Sequence, residues 1–305
     1  AAFNVASKPA KAFEFEPPRP LAASDSDTWR AVNKIWNRGA PVFRDVAAGD
    51  FFAQPPQSIE SVKVSRPRIA LYKSYVPAID EGWTRWLLED FGFAYQNVAN
   101  PDIDAGNLRQ RFDVIVFPDQ PASQVASGFG IGTMPQDYTG GLNGKAAANL
   151  KTFAEQGGTL VFLNRSANYA VEHLHLDVKN VVAGVPDRDF YSPGSLLNVT
   201  LDTQNAIAHG LPKNIAIWSE ESPAWDVPAN SRDLVIARYP DDHVLASGWL
   251  LGESYIKGRA ALVEVPIGQG EAVLFGLRPQ YRAQSYQAFK LFFNSLLLSS
   301  ARPAQ

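Results

Sequence analysis

Seven polar side chains in three short strings could do chemistry together. Asp119 and Gln120 follow the apolar run 112–117. Arg165 and Ser166 follow the run 159–163. Arg278, Gln280 and Arg282 follow the run 271–275. A serine hydroxyl attacks well only when a base takes its proton, because the free alkoxide is scarcely populated near neutral pH. Asp119 is the base candidate in sequence, so Ser166 and Asp119 form the weak catalytic pair. The plainer role for Ser166 is a helix cap, where serine is favoured. The arginines have two readings as well. Arg165, Arg278 and Arg282, with Gln120 and Gln280, could line a pocket for a carboxylate, since a guanidinium offers a planar donor fork. They could instead pair with Asp119 and with Asp80 or Glu81 in a buried network, which is the favoured reading.

Metal and cysteine chemistry are thinly supplied. Cysteine is absent, which removes disulfides, cysteine zinc sites and any thiol nucleophile. Only four histidines occur. His173 and His175 are spaced i, i+2, which on a helix points them roughly 200° apart. His209 and His243 stand alone. No metal site and no cofactor is expected. The glycines of 128–132 lack the lysine and the immediate helix of a phosphate loop, and those of 140–144 suit a loop leading into a helix.

The elements that must hold these groups alternate. Buried-strand patterns at 69–72, 93–95, 112–117, 159–163 and 271–275 are separated by helical patterns near 80–91, 146–156 and 167–174, and a last helix spans about 285–299. This order predicts an α/β fold with a doubly wound, mostly parallel sheet, flavodoxin-like in class. Residues 180–265 read as a strand-rich extension. In such sheets ligand clefts lie beyond the carboxyl ends of the strands, where 72–74, 119–120, 164–166 and 278–282 would converge. Trp83 and Trp86 read as core, and core is also favoured for Trp249. Upstream, 1–24 is an extended proline-rich arm with Phe3, Phe13 and Phe15, and 25–67 is a small α/β lead-in ending in a polar linker over 53–67. The remaining domain is 68–305.

The 305 residues carry 28 basic and 31 acidic side chains, a net charge of −3. This argues against a nucleic-acid binder. No stretch approaches the roughly 18 apolar residues of a membrane helix. The chain starts at Ala1 and its one methionine is Met134. Ala1 is therefore not expected to be the translation start: either a leader or a larger upstream piece has been removed, or the sequence is a fragment, which is the favoured reading.

Several strings resemble one family. They are Tyr72-Lys73-Ser74-Tyr75, the segment 80–86, Phe112 through Gln120, Phe190-Tyr191-Ser192-Pro193-Gly194-Ser195, Ser247-Gly248-Trp249-Leu250 and Leu277 through Ser285. Together they resemble the C-terminal, class I glutamine amidotransferase-like region of bacterial secreted zinc carboxypeptidases. The resemblance implies an amidotransferase-like domain that normally follows a peptidase. The peptidase's His-x-x-Glu zinc motif does not occur here. The resemblance also implies a cysteine on a strand-to-helix elbow, here 163–167, and a histidine after the last core strand, here 276–280. Neither is present. The chain is thus expected to be a non-catalytic accessory or assembly domain of an exported protein. Its partners would be a zinc carboxypeptidase-like domain, or further copies through the arm. The alternatives are a hydrolase using Ser166, or a carboxylate- or peptide-binding module.

Overall fold

The computed structural model describes residues 20–300. Residues 1–19, which hold most of the expected arm and all three of its phenylalanines, lie outside them. The chain first forms α1 (Thr28–Asn37), β1 (Val42–Asp45), β2 (Phe51–Phe52) and β3 (Ser61–Val64). These three strands make an antiparallel sheet in the order β2-β1-β3. β3 falls inside the stretch read as linker. Ser61 to Val64 pairs along the whole of β1, and Val64 is buried at its end.

The main sheet opens with β4 (Ile69–Tyr72), α2 (Ile79–Asp90), β5 (Tyr95–Val98) and two short helices, α3 (Asn100–Asp104) and α4 (Leu108–Arg111). It continues through β6 (Val114–Phe117), α5 (Ala122–Ser127), α6 (Gly144–Glu155), β7 (Thr159–Leu163) and α7 (Ser166–Leu174). The extension follows: β8 (Lys179–Asn180), β9 (Ser195–Leu201), β10 (Asn214–Ser219), β11 (Trp225–Asp226), β12 (Val235–Arg238), β13 (Leu245–Ser247) and β14 (Ala260–Ile267). The core closes with β15 (Gly270–Phe275) and α8 (Tyr286–Ser295).

Strands β15, β7, β6, β4 and β5 lie side by side and run parallel. In chain order of the parallel strands this is the flavodoxin-like arrangement, in which the order reverses between the first and third strands. β14 joins β15 antiparallel and leads into the antiparallel strands β12, β9 and β10. The fold is therefore doubly wound α/β with a strand-rich extension.

Strands β4, β6, β7 and β15 are buried at every position because helices cover both faces, whereas the edge strand β5 exposes Gln96 and Asn97. On β4, Ile69 and Leu71 face one core layer, and Ala70 and Tyr72 face the other. The first layer also contains Trp29 of α1, Phe91 directly after α2 and Phe293 of α8. Trp29 lies 5.0 Å from Phe51, 5.8 Å from Phe93 and 5.6 Å from Phe293, so the lead-in and the main sheet share one core.

Three expectations about tryptophan need correction. Trp86 is exposed, Trp83 is only partly buried, and Trp249 lies at the surface. On α2 the buried face is instead Asp80, Thr84, Leu87 and Leu88. The i, i+3 spacing of Trp83 and Trp86 marks one helix face without saying which face meets the core.

Candidate functional site

The sharp turn after β7 places its polar groups at the carboxyl edge of the sheet. Asn164 takes φ +55 there, a left-handed conformation that asparagine tolerates better than most residues. Its N–H donates to the Phe275 carbonyl at 2.8 Å, which ties the turn to β15. Asn164 thus stands at the elbow point, two residues before Ser166. Ser166 is already the first residue of α7, and Arg165, not Ser166, is the N-cap. The Ser166 hydroxyl is fully buried and shares its proton between the Phe117 carbonyl at 3.0 Å and the Leu163 carbonyl at 2.8 Å. It neither caps the helix nor faces open space. An attacking role would need it to leave both carbonyls.

The arginines are held by carboxylates. Asp119, at the end of β6, accepts from Arg165 Nε at 2.9 Å and Arg165 Nη2 at 2.7 Å. It also accepts from the Arg165 backbone N–H at 3.0 Å and Asn164 Nδ2 at 3.1 Å. Arg165 Nη1 reaches Glu221. A second triad lies alongside. Arg278, after β15, donates through Nε to Asp80 at 2.8 Å, through Nη2 to the other Asp80 oxygen, and through Nη1 to Glu220. Trp218 Nε1 donates to Glu220 at 3.1 Å, and Gln280 Nε2 to Thr84 Oγ1 at 3.0 Å.

Two Asp–Arg–Glu units therefore run side by side, joined at the neighbouring residues Glu220 and Glu221. Glu221 has φ +51, a left-handed turn in the backbone between the two units. Burial pulls the Arg278 guanidinium down. The hydrogen bonds and charge of Asp80, with Asp119 and Glu220, outweigh this and hold it above its ordinary value. Arg165 is raised in the same way, against burial, by Asp119 and Glu221. With both carboxylates of each unit engaged, Asp119 is an acceptor for four N–H groups and not a free base.

Above the network lies a cleft of about 330 Å³ lined by Asp80, Asp119, Gln120, Arg165, Arg278 and Arg282, with Trp83 and Tyr281 among its apolar walls. Gln120 Nε2 is turned to the Val76 carbonyl at 3.0 Å. Gln280 is wholly buried and does not line the cleft. Arg282 differs from the other two arginines. It is exposed, has φ +45, and holds its guanidinium 5.2 Å from the Tyr281 ring with no carboxylate partner among the described residues. Tyr281 also stacks on Trp218 at 4.3 Å and lies 4.6 Å from the Arg278 guanidinium. Tyr72, Lys73 and Ser74 line a smaller adjoining cavity of about 190 Å³ together with Glu81 and Gln120. The expected single rim is thus two cavities sharing one wall.

The histidines stay apart. His173 stacks on Tyr169 at 4.6 Å, and His175 ends α7 with φ +56. His209 is buried beside Arg44, and burial followed by that charge lowers its pKa. No group of three metal-ligating side chains occurs among the described residues. No helix among them is long and apolar enough to cross a membrane.

Sequence reasoning placed Asn164 at the strand end without giving it a role, and it missed Glu220 and Glu221. The available signal was the acidic pair directly after the segment that forms β10, which could supply counter-charges to the arginines.

No family model and no curated protein matches the sequence. Among solved structures, PurLQS from Thermotoga maritima is 17% identical with a TM-score of 0.49, covering 76% of this chain and 98% of that one. A GMP synthase component from Thermoplasma acidophilum is 10% identical with a TM-score of 0.47, covering 77% and 95%. A ThuA-like protein from Bacteroides uniformis is 11% identical with a TM-score of 0.47, covering 80% and 95%. The fold class rests on the strand order of this chain itself.

Proposed function

We propose that this chain is a non-catalytic accessory and assembly domain, built on an amidotransferase-like fold and belonging to an exported zinc carboxypeptidase-like protein. One observation carries the reading. The strand ends where the resemblance calls for a nucleophile and a base hold Asn164 and Arg278, and both are bound into the paired Asp–Arg–Glu units. An amide at the elbow cannot attack, and a guanidinium with two carboxylates cannot take a proton near neutral pH. The polar groups of the cleft floor serve to fix five chain segments against one another. The resemblance names the parent protein, its export and its peptidase partner.

The test is covalent labelling with a serine-reactive fluorophosphonate probe, on the wild type and on Ser166→Ala. Equal and negligible labelling is the expected result. Labelling of the wild type that disappears in Ser166→Ala would overturn the reading in favour of a hydrolase. A carboxylate-binding role is favoured by one feature, the exposed Arg282 at the cleft mouth. A thermal-shift series with simple carboxylates separates it, because a true ligand raises the melting temperature by mass action and Arg282→Ala would abolish the rise.

A further inference from the structure

The smaller cavity beside the cleft uses none of the ion pairs of the two Asp–Arg–Glu units. It holds about 190 Å³ and is walled by Tyr72, Lys73, Tyr75, Glu81, Pro118 and Gln120, among others. Its place in the fold is the crevice between β4 and β6. These are the first and third parallel strands, and they lie side by side while β5 pairs with the other edge of β4. Tyr72 ends β4 and Lys73 follows it, and Pro118 and Gln120 come directly after β6. The strand order reverses at this crevice, so the loops leaving it diverge and make room for a ligand.

Some of the polar groups around it are already engaged. The Tyr72 hydroxyl donates to Asn100 Oδ1 at 2.7 Å, and Gln120 Nε2 donates to the Val76 carbonyl at 3.0 Å. Two groups are left over. Glu81, in the first turn of α2, is 9% exposed, and its Oε1 is buried with no hydrogen-bond partner among the described residues. Its other oxygen lies 3.8 Å from Arg85 Nη2. Lys73 is exposed, and no acid among the described residues pairs with it. A buried carboxylate oxygen without a donor is costlier than a neutral group in the same position, and a carboxylate can only accept. The occupant must therefore bring a donor to Glu81.

We propose that this cavity binds a neutral polyol the size of one monosaccharide, with a ligand hydroxyl donating to Glu81 Oε1 and the Tyr75 ring as a wall. The inference goes beyond the accessory-domain reading and does not depend on it. Charge selects a neutral ligand. Glu81 already stands between the cations of Arg85 and Lys73, so an ammonium would add a third positive charge. An anion would meet the bare carboxylate oxygen. A hydroxyl both donates and accepts, so neighbouring hydroxyls of one ligand can serve Glu81 and Lys73 together. Size points the same way. The cavity is smaller than the roughly 300–1,000 Å³ of pockets that take drug-sized ligands. Tyr75 is half-buried, with Tyr138 edge-on at 5.2 Å, and its ring suits the C–H face of a sugar.

Titrations of the full chain with D-glucose, D-galactose and D-mannose, followed by saturation-transfer NMR, test this. At least one of the three sugars is expected to bind. Glu81→Met keeps the side-chain length and removes the unpaired oxygen, so it should weaken binding at least tenfold without lowering the melting temperature. Tyr75→Ala, on a half-buried loop side chain, should weaken binding severalfold and keeps the test in force if Glu81→Met does not fold. Trp249→Ala, at the surface outside the cavity, should leave binding unchanged. No binding of any of the three sugars to the wild type overturns the proposal. Binding of equal strength in Glu81→Met or Tyr75→Ala overturns it as well. A lower melting temperature in Glu81→Met would show the carboxylate to be structural and would count against the site. Glycine or ethanolamine binding more tightly than all three sugars overturns the neutral ligand class. The fluorophosphonate labelling is unaffected by any of these results.

Discussion

Arg278 shows what a single side chain does in this cleft. It grips Asp80, whose side chain is only 1% exposed, with two nitrogens. Replacing Arg278 by alanine leaves that carboxylate buried without its counter-charge, which costs about 3–5 kcal/mol. Urea unfolding of Arg278→Ala should show this loss as a lower midpoint at unchanged slope. A change below about 0.5 kcal/mol, the usual range for surface substitutions, would show that the unit is not structural. His209 gives a second residue-scale outcome. Burial and then the nearby Arg44 depress its pKa, while Asp45 and the Gln204 backbone pull the other way. The unfolded chain therefore takes the proton first, at about pH 6.5. Stability from this residue is complete above that pH, declines as the pH falls through it, and levels off once the folded form is protonated. A His209→Gln variant should lose that part of the decline in a pH series of thermal melts.

At the scale of elements, the loop between α5 and α6 is closed by glycines packed neck to neck. A Cβ at Gly141 would sit 2.5 Å from the Val125 carbonyl, and one at Gly128 would sit 2.0 Å from the Gly140 carbonyl. Backbone atoms cannot move aside cheaply, so Gly141→Ala must part α5 from the start of α6. Thermal denaturation should show a loss of about 1–3 kcal/mol, the ordinary cost of overpacking. A melting temperature equal to wild type would mean the neck is loose. This close approach is non-local in detail. The sequence marks a glycine-rich loop without revealing which glycines touch. The helix α2 repeats the lesson. Its tryptophan spacing is visible, yet its inner face was taken by Asp80 and Thr84, because Arg278 and Gln280 wait there.

At the scale of the molecule, the lead-in and the α/β domain are expected to unfold together. Trp29 packs against phenylalanines of three other segments within one core layer. Trp29→Ala should cost about 3–5 kcal/mol, and near-ultraviolet and far-ultraviolet dichroism should lose structure in one coincident transition. Two separate transitions would show that the lead-in is an independent unit.

The sequence by itself determined the strand and helix alternation, the parallel class of the sheet and the absence of any cysteine, because periodicity and residue type are local properties. It also placed Asp119, Arg165 and Arg278 at the carboxyl ends of strands. It could not say that Asn164 takes the elbow, that Ser166 turns inward, or that Glu220 and Glu221 divide two arginines between them. Asp80 and Arg278 are 198 residues apart in the chain. Their pairing follows from the order in which β15, β7, β6 and β4 lie side by side. A charge finds its partner through space, at the geometry the folded sheet imposes, and that geometry is decided only when the tertiary structure closes.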